Sequence, residues 1–94
     1  HDDSLLIRVE EIGQAIRDAA TRARLEDNTF TVWLPAGALP AADLDDYLEK
    51  QAILMPAIRF EQSEEEGQVK LVYANLPPAV KAQLAKKYAD LLQQ

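Results

Sequence analysis

The first quarter of the chain carries apolar residues at helical spacing. They recur at alternating steps of four and three, which places them on one stripe of a helix. The stripe consists of Leu5, Val9, Ile12, Ile16, Ala19 and Ala23. Ser4 is suited to the N-cap position, and Asp27 followed by Asn28 is suited to a turn. The pattern predicts a helix from Ser4 to about Asp27, roughly 35 Å long at the usual helical rise.

The next segment, residues 29–34, alternates in the manner of a strand and is rich in β-branched and aromatic residues. One predicted face carries Phe30, Val32 and Leu34, and the other carries Thr29, Thr31 and Trp33. A turn at residues 35–37 follows. Residues 41–51 then read as a short helix, because Leu44, Tyr47 and Leu48 share one helical face.

The second half predicts a hairpin over residues 57–62 and 68–74, joined by a polar connection that ends in a glycine. Pairing Phe60 with Leu71 places Glu61 opposite Lys70, so we expect this register or one two residues away. The last predicted helix follows Pro77 and Pro78, and its apolar residues are Val80, Leu84, Tyr88 and Leu91.

The predicted fold class is therefore α+β, in the order α-β-α-β-β-α. We expect a three-stranded mixed sheet with two helices on one face and a long N-terminal helix. If the first two strands are parallel neighbours, their crossover should be right-handed. The residues expected in the core are Phe30, Val32, Leu34, Ile58, Phe60, Leu71 and Tyr73.

Composition favours one globular domain. The chain has 94 residues, 48% of them hydrophobic and 28% charged, with a net charge of −6. That charge disfavours nucleic acid as a partner, and no apolar run reaches the roughly 18 residues of a membrane span. The sequence indicates no compartment. Because it begins at His1 and its methionine is the internal Met55, we expect a domain excised from a larger protein.

The residues offer little for catalysis. There is no cysteine, and the sole histidine is His1, so the usual nucleophile–histidine and zinc sites are not expected. Asp43, Asp46 and Glu49 recur at i, i+3, i+6, but they lack the spacing and glycine of a calcium loop. Ser4 and Ser63 suit a helix start and a turn. We expect no enzyme activity, catalytic residue, cofactor or metal.

Two apolar surfaces exceed the needs of the predicted core. Trp33, beside Thr31 and Val72, points to the sheet face opposite that core, where either the first helix covers it or it is exposed as an interface anchor. The stripe residues Leu5, Val9, Ile12 and Ile16 pack on the sheet or against a partner helix, or the first helix continues a longer helix of the parent protein.

The prediction for function is a non-catalytic protein-interaction or assembly domain that binds a protein partner or associates with itself. A small-ligand or regulatory domain attached to an enzyme is the second hypothesis. A nucleic-acid accessory domain is the third.

Overall fold

The computed structural model describes residues 3–92, so His1 lies outside the described residues. Its elements are α1 (Ser4–Ala19), β1 (Arg22–Glu26), β2 (Thr29–Pro35), α2 (Ala41–Leu54), β3 (Arg59–Glu65), β4 (Gln68–Ala74), α3 (Pro78–Lys87) and α4 (Ala89–Leu92). The strands form one antiparallel sheet in the order β1-β2-β4-β3. The α+β class is confirmed, but the sheet has four antiparallel strands instead of the predicted three in a mixed sheet.

The prediction of one long first helix is wrong for the last third of that segment. α1 ends at Ala19, Ala20 is extended, and the Thr21 amide donates to the Trp33 carbonyl at 2.8 Å. β1 then pairs with β2 through a two-residue turn in which Asp27 adopts a φ of 52°. Ala23 fits a helical stripe and an alternating strand equally well. The strand prevails because it also buries part of Leu25 and completes an antiparallel ladder.

Because β4 lies between β2 and β3, the predicted crossover between two neighbouring parallel strands does not occur. β4 pairs with β2 on one side and β3 on the other, so β2 and β3 are not neighbours and the expected parallel pair does not form. β4 alternates buried and half-buried residues, as a central strand does. β3 is exposed except at the half-buried Phe60, and its charged residues suit an edge.

The β3–β4 hairpin is confirmed with a longer ladder than predicted. Its turn is only Glu66 and Gly67, whose φ values of 51° and 78° are those of a type I′ turn. Pairing therefore continues through residues 63–65. Phe60 lies opposite Tyr73, which is the predicted register displaced by two residues.

The helices pack on one face of the sheet. Of the seven predicted core residues, six are buried and Phe60 is half-buried. The ring of Phe30 lies 5.3 Å from that of Tyr73 and 4.8 Å from that of Tyr88, measured between centroids. Tyr88 also divides the predicted last helix into α3 and α4, since its backbone leaves the helical range at φ −109° and ψ 18°. Arg17 donates to the Lys87 carbonyl at this break.

None of the helices in residues 3–92 combines the length and apolar character needed to cross a lipid bilayer.

Candidate functional site

Trp33 lies on the predicted face of the sheet but is covered in an unexpected way. α1 packs on the opposite face, so it does not cover the indole. Trp33 is nevertheless only 5% exposed. The Arg22 guanidinium lies 4.4 Å from the ring centroid, and Arg24 and Lys70 each lie 5.9 Å from it. Long basic side chains therefore cover the indole through cation–π contacts.

Polar contacts complete the surroundings of this tryptophan. Its Nε1 donates to the Glu65 carboxylate at 2.8 Å. Thr31 is buried and pairs with half-buried Val72 across the sheet. The structure thus brings the predicted trio of Trp33, Thr31 and Val72 together, but the chain's own side chains cover the tryptophan. The predicted dependence of Trp33 burial on the first helix is wrong, because the two occupy opposite faces.

The α1 stripe is directed into the core. Val9, Ile12 and Ile16 are 8%, 3% and 0% exposed and pack with the inner face of the sheet. Leu5 is half-buried. Three of the four stripe residues singled out as interface candidates are therefore engaged within the domain.

The exposed apolar side chains lie elsewhere. Leu6, Ile7, Ile53 and Leu54, which we call the apolar rim, are 48%, 54%, 61% and 38% exposed. Leu6 and Leu54 line a cavity of about 460 Å³ between α1, α2 and α3, which we call the helical groove. Ile7 and Ile53 are their chain neighbours, but they lie about 100° further around their helices and do not line the cavity. The sequence signal was present, since residues 52–56 form an apolar run that neither a strand nor the short predicted helix explains.

The floor of the helical groove is a closed hydrogen-bond network. The Tyr47 and Tyr73 hydroxyls lie 2.9 Å apart, and Gln51 donates to the Tyr47 hydroxyl at 3.0 Å. Burial raises the pKa of Tyr47, although its hydrogen bonds oppose the shift, and burial raises the pKa of Tyr73 well above the usual value. Both hydroxyls therefore stay protonated near neutral pH and supply no anionic nucleophile.

The acidic positions of α2 hold two helices together. Arg8 of α1 donates to Asp43 at 2.9 Å and to Asp46 at 3.1 Å, and Lys50 also bonds Asp46. The hydrogen bond from Lys50, followed by that from Arg8, lowers the pKa of Asp46. Within residues 3–92, no group of three or more histidine, cysteine, aspartate or glutamate residues is arranged to hold a metal ion.

Comparison of the chain with protein-family models, with curated proteins and with solved structures found no significant match. Inference about function therefore begins from the groove, the rim and the sheet surfaces described above.

Proposed function

We propose that this chain is a non-catalytic protein-interaction or assembly domain that binds through the helical groove and its apolar rim. The observation that carries the proposal is that two of the four exposed large apolar side chains, Leu6 and Leu54, line this groove. Exposed apolar patches rimmed by polar groups are typical of interaction surfaces.

The shape of the groove favours a helical partner segment. Its walls come from three helices, with Val9 and Gly13 on α1, Met55 at the end of α2, and Val80 and Leu84 on α3. An amphipathic helix buries its apolar face in a groove of this kind through anchors at helical spacing. α3 contributes no fully buried residue, so this wall can adjust to an occupant at little cost in core packing.

One observation favours a small ligand as the second candidate. The volume of the groove, about 460 Å³, falls within the range of roughly 300–1,000 Å³ that small-molecule sites span. Apolar walls above a polar floor of Tyr47 and Gln51 also suit a mostly apolar ligand. Ile7 and Ile53 lie outside the groove lining, so neither a ligand nor a helix confined to the groove covers them.

Self-association is tested by light scattering behind size exclusion, from about 1 μM to about 1 mM. We expect Leu6→Glu and Leu54→Glu, both in the groove lining, to abolish concentration-dependent association by placing a charge in the contact. Ala82→Glu, on an exposed part of α3 outside the groove lining, is the matched control. Association that survives both rim variants contradicts a role for the rim in assembly.

A different partner is tested by titrating the labelled domain with two designed amphipathic helical peptides, one with a basic and one with an acidic polar face. Amide NMR shifts confined to the ends of α1 and α2 and to α3, and lost in Leu54→Glu, support the proposal. A monomer at every concentration that also fails to bind either peptide at about 1 mM overturns it. A small-molecule thermal-shift screen that yields a groove-bound stabiliser favours the second candidate.

A further inference from the structure

The two edge strands of the sheet are β1 and β3. α4 contacts β1 at one edge, and α2 also contacts β3. At the other edge, β3 pairs only with β4 among the described strands, and six of its seven residues are exposed. A strand in this position presents unpaired backbone N–H and C=O groups, to which an extended chain can add as a further strand.

A cavity lies beside this edge on the helical side of the sheet. Its volume is about 530 Å³, and its lining includes the buried side chains of Leu39, Leu44 and Val69 together with Gln62 and Glu64 of β3. Gln62 and Glu64 alternate with the residues that face the open side of the sheet. Every second side chain of an added strand would therefore point towards this cavity.

The negative charge of β3 and its turn favours a basic partner strand at this edge. β3 and its turn carry Glu61, Glu64, Glu65 and Glu66 against the single positive charge of Arg59. A second copy of β3 would bring four more glutamates to the same ladder, and like charges on facing strands are destabilising. A strand with lysine or arginine on its open-face side would instead meet Glu61, which lies 4.0 Å from Arg59, and Glu65, which also accepts a hydrogen bond from Trp33.

We infer that β3 binds an extended basic peptide as a fifth strand of the sheet. Basic side chains of the peptide face Glu61 and Glu65, and the alternate, apolar side chains enter the cavity lined by Leu39, Leu44 and Val69. This surface is separate from the helical groove, so the inference stands or falls independently of the function proposed above.

The test is a titration of the isotope-labelled domain with a seven-residue peptide that alternates lysine with valine. Binding is monitored by changes in amide chemical shift and by calorimetry. We expect shifts confined to β3, its turn and the cavity, with affinity that falls as salt is added. A peptide that alternates glutamate with valine should bind much more weakly. The lysine peptide N-methylated on alternate amides should also lose affinity, because strand addition requires its backbone donors.

Protein variants separate a local contact from general attraction to an acidic domain. Glu61→Lys should weaken binding of the lysine peptide by about fivefold, which corresponds to the upper end of the contribution of one exposed ion pair. Glu26→Lys makes the same charge change on the same sheet face at the opposite edge and should have little effect, as should Leu54→Glu in the groove. Equal loss in Glu61→Lys and Glu26→Lys, undiminished binding of the N-methylated peptide, or no binding at about 1 mM would overturn the inference.

Discussion

Gly13 lies in the middle of α1 and faces the helical groove, and we expect its replacement by alanine to stabilise the domain. A Cβ atom at this position would lie 3.7 Å from Tyr47 Cε1 and 3.7 Å from Lys87 Nζ, which is ordinary van der Waals contact. Glycine inside a helix costs about 0.5–1 kcal/mol relative to alanine, because it loses more backbone entropy on folding. The added methyl group is also partly buried, which acts in the same direction.

The free energy of unfolding should therefore rise by about 1 kcal/mol in Gly13→Ala, which corresponds to an increase in Tm of about 4–8 °C for a domain of this size. Urea denaturation followed by circular dichroism and by Trp33 fluorescence measures the first quantity, and a thermal scan measures the second. The slope of the unfolding free energy against urea should not change, since the substitution alters little of the surface exposed on unfolding.

Two other glycines supply the control. Gly37 and Gly67 have no atom within 4 Å of an added Cβ, but their φ values are 85° and 78°. Alanine at either position should destabilise the domain by about 1 kcal/mol, because an L side chain disfavours the left-handed region. Steric crowding alone would instead make Gly13→Ala the most damaging of the three. An unchanged or lower free energy of unfolding in Gly13→Ala would refute the reasoning.

Other predictions follow from the open face and the buried hydroxyls. Arg22→Ala should red-shift Trp33 emission and increase acrylamide quenching, because the guanidinium covers the indole; unchanged quenching would contradict this. Burial raises the pKa of Tyr73, so its stabilising contribution is complete below about pH 10 and is lost as pH rises. Above that pH, the urea midpoint should fall less with rising pH in Tyr73→Phe than in the unsubstituted domain. Asp46, whose pKa is lowered, contributes above its unfolded pKa of about 3.9 and loses that contribution on acidification. Asp46→Asn should reduce the fall of the urea midpoint on acidification. An unchanged fall would count against the contacts of Asp46 with Lys50 and Arg8.

The strands and helices with one clear periodicity were predicted well. Apolar residues recur at every second position in residues 29–34, at Phe30, Val32 and Leu34, and in residues 68–74, at Val69, Leu71 and Tyr73. Both segments are strands in the structure. The segment after the first helix was predicted wrongly, because Ala19 and Ala23 satisfy the helical period while the residues around Ala23 also alternate. An alanine buries too little surface to decide between a helix and a strand. Pairing with β2 decides it, and pairing is a long-range contact that periodicity within one segment does not contain.

That single misassignment also accounts for the error about Trp33. In a helix, Arg22 and Arg24 point in different directions, but in a strand they share a face. Once β1 pairs with β2, Arg22 lies opposite Trp33 and Arg24 lies opposite Thr31, on the side of the sheet away from the helices. Two of the three cations that cover the indole, Arg22 and Arg24, are therefore visible in the sequence, but the predicted helix places them in the wrong element.

The one-sided packing of the helices determines which surfaces remain for binding. An antiparallel sheet with helices on one face exposes its other face to water, and here Arg22, Arg24 and Lys70 cover the indole of Trp33 on that face. Among the described residues, the apolar rim and six of the seven residues of β3 remain exposed. On the two proposals above, a partner of the rim would present an apolar surface, whereas a partner of the edge would present backbone donors and positive charge. Sensitivity to Leu54→Glu and sensitivity to Glu61→Lys would therefore distinguish two chemically different partners.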